Sequence, residues 1–175
     1  MKRSAGKLDF EDYRYEICRE LVRLVSSDMG SDEPISVDMK LKEVKGLKPI
    51  NETTRAGWSI KSYHEPWLTL EGKLLDGTKF NIGVLEKLEL REKRKGKKAN
   101  KIKKKKSQKI SIRLRFKEGK YSELNTIKPE DMGQAIQLPE GFMAGEFNST
   151  GTEVRLTASS PTWKALFPPY GECIV

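Results

Sequence analysis

One nine-residue run constrains the fold of this chain more than any other. In KISIRLRFK, residues 109–117, Ile110, Ile112, Leu114 and Phe116 alternate with Lys109, Ser111, Arg113, Arg115 and Lys117. Successive side chains of a strand point to opposite faces, so this run makes a strand with one apolar and one cationic side. FNIGVLEKLEL offers a matching apolar set in Phe80, Ile82, Val84, Leu88 and Leu90, with Glu86 breaking the alternation. Pairing the two runs antiparallel makes everything between them the tip of one long hairpin.

A second register can be set from the Asp76-Gly77 turn. A two-residue turn would oppose Leu70 to Gly83 and mix faces. A three-residue loop, Leu75-Asp76-Gly77, opposes Leu70 to Ile82 and Leu68 to Val84, all on one face. Gly77 then occupies the left-handed position of a bulged turn. A slip of one residue would turn one apolar side outward, so the three-residue loop is expected.

Other elements are read more coarsely. In LDFEDYRYEICRELVRLV, Phe10, Tyr13, Ile17, Leu21 and Leu24 recur at helical spacing, joined by Cys18 and Val25. Asp9 suits the N-cap, with Leu8 packing on Tyr13. Glu11, Arg14, Arg19 and Arg23 are read as the solvent face. ISVDMKLKEVKGL alternates like an exposed strand, and KPINETTRAG reads as a loop. WSIKSYH and WLTLEGKLL are two strand candidates, with Pro66 marking an edge or turn. KPEDMGQAI suggests a short helix with Pro129 at its first position. FMAGEF and EVRLTA form a hairpin around NSTG, and SSPTWKALFPPYGECIV reads as an apolar, proline-broken tail. The expectation is a single α+β domain over residues 1–175. An N-terminal helix packs on a largely antiparallel sheet that carries a long lysine-rich hairpin arm or loop at 91–109.

Charge is concentrated in that arm. REKRKGKKANKIKKKKSQK, residues 91–109, holds ten lysines and two arginines against one acid, a net of +11; the other 156 residues carry 22 basic and 24 acidic groups. Charge focused on one segment makes a local positive potential that attracts anions. The expected partner is nucleic acid, RNA or DNA. The phosphate contacts are assigned to Arg91, Lys93, Arg94, Lys95, Lys97, Lys98, Lys101, Lys103, Lys104, Lys105, Lys106, Lys109, Arg113 and Arg115. Lysine acts as a point charge where arginine forks onto base edges, so contacts independent of base sequence are expected. The arm has no aromatic residue. Any base stacking falls to the body, where Trp58, Tyr63 and Trp67 are the candidates.

Competing readings of the same charge remain open. Like-charge runs are often only solvated loops. Acidic lipid headgroups attract polybasic segments, but no amphipathic helix or lipidation motif adjoins this one. KRKGKKANKIKKKK also fits a nuclear-localisation pattern. The alternative function is a structural or accessory protein of a larger assembly, docking on protein partners through its body and apolar tail.

Catalysis is not expected. The one histidine, His64, lies beside Glu65 in SYHEPW, but strand neighbours point to opposite faces. Cys18 falls on the apolar side of its helix, and Cys173 has no histidine near it. No P-loop, GxGxxG, GxSxG or HExxH occurs. No cofactor and no metal site are expected, because no Cys/His cluster has ligand spacing. No apolar stretch reaches the length of a membrane span, and the first residues lack a signal-peptide core. A cytoplasmic location follows as the expectation, or a nuclear one in a eukaryote.

Overall fold

The computed structural model describes residues 12–41, 46–95, 98–121, 123, 126 and 143–160. One helix, α1 (Asp12–Ser26), precedes seven strands: β1 (Ser36–Met39), β2 (Asn51–Arg55), β3 (Trp58–Lys73), β4 (Lys79–Lys95), β5 (Lys98–Arg115), β6 (Met143–Thr150) and β7 (Glu153–Ser160). All pair antiparallel in one sheet of order β1-β3-β4-β5-β7-β6, and β2 also pairs with β3. The architecture is α+β and mostly sheet.

The register is the one expected from the three-residue loop. Leu68 opposes Val84 and Leu70 opposes Ile82. Leu74 N donates to Thr78 O at 2.8 Å, and Gly77 takes a φ of +86°, where a side chain would be strained. Asp76 holds this loop in shape, accepting bonds from the Thr78 amide and hydroxyl, both at 2.8 Å. These bonds, with others from Lys120 and Tyr121, hold its carboxyl well below the ordinary range.

β3, β4 and β5 are 16, 17 and 18 residues long, against a typical length of about 3–10. The apolar core occupies one face at one end of them. Trp67, Leu68, Leu70, Phe80, Ile82 and Val84 form one buried cluster with Ile17 and Cys18 of α1, and Ile110, Ile112 and Leu114 pack against it.

Several expectations need correction. WSIKSYH and WLTLEGKLL are a single strand, not two, because a register shift between Pro66 and Leu68 absorbs one residue without a turn. That irregularity buries the consecutive side chains Trp67 and Leu68 in the core together. Pro66 is tolerated there because β2 pairs only residues 58–62 of β3 and β1 only residues 68–71. KPINETTRAG is not a loop throughout. Asn51–Arg55 forms β2, and Ala56 and Gly57, with φ of +50° and +75°, make the tight turn into β3. Asn148, Ser149 and Thr150 belong to strand β6 rather than to its turn. Leu24 is exposed, not in the core.

The largest correction is Arg14. It was assigned to the solvent face, yet its side chain is fully buried. Residues 14, 18, 21 and 25 follow the 3.6-residue repeat, so Arg14 stands on the Cys18–Leu21–Val25 stripe. Its Nη2 lies 3.1 Å from Glu65 Oε2 and 3.8 Å from Glu86 Oε2, and Nη1 donates to the Lys40 carbonyl at 2.9 Å. The guanidinium sits 5.3 Å from the Trp67 ring centre. Burial would lower the Arg14 pKa; bonds to Glu65 and Tyr13 outweigh it and raise it. The expected 128–136 helix, the residues before Asp12, the apolar tail and Cys173 lie outside the described residues.

Candidate nucleic-acid interface

The described residues of the basic run lie in strands β4 and β5. β4 and β5 pair continuously from Lys79↔Arg115 to Lys93↔Lys101, with a last pair at Lys95↔Lys98 beyond a register shift. Pairing and period-two alternation sort the lysines by face. Arg91 opposes Lys103, Lys93 opposes Lys101, Glu89 opposes Lys105, and Leu85 opposes Lys109. These six cations share the face away from the core, and Arg113 and Arg115 continue the row on β5. Lys104 and Lys106 stand on the core-side face with Leu88, Leu90 and Ile102.

The fourteen assigned residues therefore do not act as one set. Eight lie in a row on one face and two on the other. Arg94, Lys95 and Lys98 are placed by backbone only, and Lys97 lies outside the described residues. Arg113 and Arg115 are partly neutralised by Glu153, at 3.8 and 2.9 Å, which Arg155 also contacts. Bonds from Arg115 and Arg155 lower the Glu153 pKa.

Lys106 does structural work. Its Nζ is 3.0 Å from Glu86 Oε1, while Tyr13 OH donates to Glu86 Oε2 at 2.7 Å. Glu86 breaks the apolar alternation of its strand because it receives these groups at the edge of the core. Glu65, Glu86, Gln108 and Ser160 oppose one another across β3, β4, β5 and β7, and all four are buried. This polar row marks where the apolar core stops and the lysine region starts.

Three residues absent from the assigned set stand on the cationic face. Lys87 opposes Ser107, and His64 opposes Lys87. Burial, then the charges of Lys87 and Lys109, lower the His64 pKa. Trp58 lies beside the row, with Lys93 Nζ 5.8 Å and Lys103 Nζ 5.5 Å from its ring centre. The Asp76-Gly77 register alone points to Lys87 but would leave His64 and Trp58 on the core side with Leu68 and Leu70. The shift between Pro66 and Leu68 reverses their parity and brings both to the face of Lys87. Of the other stacking candidates, Trp67 is excluded because it is in the core, and Tyr63 stands opposite Leu88 on the other face.

Among the described residues the outer edge of β5 carries no strand beside these lysines. β7 pairs only with Gln108–Arg115, and no described strand lies along residues 98–107. Among the described residues no group of three His, Cys, Asp or Glu side chains is placed to hold a metal. No described helix is long and apolar enough to cross a membrane. A pocket of about 220 Å³ lies at the far end of the sheet, lined by Glu71, Gly72, Lys79, Phe80, Asn81, Arg113 and Arg115. Asn81 spends its amide on Glu71 at 2.5 Å, and no nucleophile–base pair lines the pocket.

Comparison with protein-family models, with curated proteins and with solved structures found no match for this chain, so the site is read from its own residues.

Proposed function

We propose that this protein is a non-catalytic nucleic-acid-binding protein. It presents the β4–β5 hairpin as a lysine-rich arm and holds RNA or DNA, in the cytoplasm or nucleus, by contacts to phosphate that are independent of base sequence. The observation that carries this reading is like charges in direct opposition on the cationic face, Arg91↔Lys103 and Lys93↔Lys101. Like charges directly opposite on a sheet are unfavourable, by up to about 1 kcal/mol each. Two such pairs on one face cost the isolated fold stability. A polyanion along the face relieves both at once and releases its condensed counterions.

Spacing supports the same reading. Lys101, Lys103 and Lys105 recur every second residue, about 6.8 Å apart, twice the roughly 3.4 Å axial spacing of phosphates along one nucleic-acid strand. With lysine rather than arginine at these positions, affinity exceeds base discrimination.

A second reading, an accessory component of a larger assembly, draws on the outer edge of β5, where no described strand pairs with residues 98–107 and another strand could add. Lysine along such an edge is itself a deterrent to strand addition, so this reading ranks second.

The test is binding of labelled RNA and DNA, single- and double-stranded, over a salt series. The intact chain is compared with a Lys101→Gln, Lys103→Gln, Lys105→Gln variant, which leaves Lys106 and Gln108 in place. Steep salt dependence that flattens in the variant supports the reading. No binding by the intact chain at low salt overturns it.

A further inference from the structure

The cationic face has one feature that phosphate binding does not require. Trp58 is a half-buried indole at the margin of a polar, basic surface, outside the apolar cluster of the core. It is the only tryptophan on that face among the described residues. The site is firmly built. Ala56 and Gly57, both at positive φ, turn the chain immediately before it. Lys93 Nζ donates to the Ala56 carbonyl at 3.3 Å and lies against Gly57, where an added Cβ would meet its Cε at 3.5 Å. Lys93 is thereby held beside the ring from β4, and Lys103 approaches from β5.

An indole with two ammonium groups over its ring, close enough to exchange that contact for phosphates, matches one chemical unit, a flat π system tethered to anionic groups. We infer that Trp58, Lys93 and Lys103 form a nucleotide subsite, with an unpaired base stacked on the indole and the flanking phosphates on the two lysines. The inference rests on the nucleic-acid reading and narrows it to single-stranded ligands. Bases in a duplex are stacked on each other and present only their edges, so Trp58 can take one only after it has been unstacked. Every base has a π face, so the subsite adds strand selectivity without adding sequence preference.

The probes are a fluorescent oligothymidylate, an abasic oligodeoxynucleotide of the same length, and a duplex of that length, each titrated into the full chain at fixed salt. The oligothymidylate is expected to bind more tightly than the abasic strand. Trp58→Ala is expected to weaken oligothymidylate about tenfold or more while leaving the abasic strand unchanged. Trp58→Phe, which keeps a ring, retains most of the affinity. Indole N–H resonances of the unmodified chain, with its three tryptophans, supply a readout free of folding effects. One indole moves with oligothymidylate and not with the abasic strand. Equal binding of oligothymidylate and abasic strand, or equal losses on both in Trp58→Ala, overturns the subsite and leaves the phosphate-binding reading intact. Failure of the unmodified chain to bind any of the three at low salt overturns both.

Discussion

The ammonium of Lys106 stands 3.0 Å from Oε1 of Glu86, a carboxylate almost wholly removed from solvent. Lys105, its neighbour in the chain, stands on the opposite face across from Glu89. Two adjacent lysines in a run of four thus have different tasks.

Single substitutions separate them. Lys106→Gln is expected to cost about 1 kcal/mol of stability, since it removes a charged partner from a buried carboxylate, and to leave the salt dependence of binding unchanged. Lys105→Gln is expected to leave stability within about 0.5 kcal/mol and to lower the slope of log K against log salt by a little under one. Urea unfolding and a salt titration on both variants check this. The same loss of slope in both would show that the two faces are not distinct.

Arg14→Met is expected to be the most destabilising change in α1, by about 3–5 kcal/mol, because Glu65 and Glu86 remain in the protein interior without their guanidinium. Adding Glu65→Leu should restore part of the loss, which a double-mutant cycle followed by urea unfolding measures.

Two glycines near the β3–β4 connection, Gly72 in the strand and Gly77 in the loop, should respond differently to alanine. At Gly72 an added Cβ would sit 2.6 Å from Cζ of Phe80, whose ring is buried, so the core must shift at about 1–3 kcal/mol. At Gly77 nothing lies within 4 Å, and the cost of about 1–2 kcal/mol comes only from holding a side chain at φ +86°. The Phe80 ring resonances should therefore move in Gly72→Ala and stay in place in Gly77→Ala.

His64, as the one histidine in the chain, is a built-in reporter for the cationic face. Its imidazole is expected to titrate below the ordinary 6.5 in the free protein. Protonation is then harder in the folded than in the unfolded chain. The contribution of His64 to stability is full above about 6.5 and is lost as pH falls through its folded pKa. A bound polyanion offsets Lys87 and Lys109, so the His64 pKa should rise when nucleic acid is added. NMR titration with and without an oligonucleotide measures the change. An unchanged pKa would place the ligand elsewhere.

The legible parts of this fold were those with a strict period. KISIRLRFK and the Asp76-Gly77 loop led to the observed register because any slip would expose Leu70 or Ile82. β2 was illegible since NETTR carries no apolar alternation: all five residues are exposed, and only pairing with β3 makes them a strand. Arg14 was misread because a charge on a helix is assigned to solvent by default, although its spacing to Cys18 and Leu21 placed it on the stripe. Glu86 was the signal. A carboxylate interrupting an apolar face calls for a cation, and the helix supplies one. At the site, the lysines were visible as composition, but their division between faces depends on pairing. Trp58 was one of three stacking candidates until the irregularity at Pro66 put Trp67 in the core.

The buried row of Glu65, Glu86, Gln108 and Ser160 has a consequence for the lysines beyond it. A run of identical side chains cannot register itself, because every slip exchanges one lysine for another. Only the row and the core before it tell β5 where to start counting. On that strand, Lys101, Lys103, Lys105 and Lys109 meet the solvent face, and Lys104 and Lys106 turn toward Leu88 and Leu90. One extra residue between Lys101 and Lys106 would barely alter the composition and would reverse the parity of every position nearer the tip. What the fold fixes in this stretch is thus a count, held by four buried polar side chains at the edge of the core.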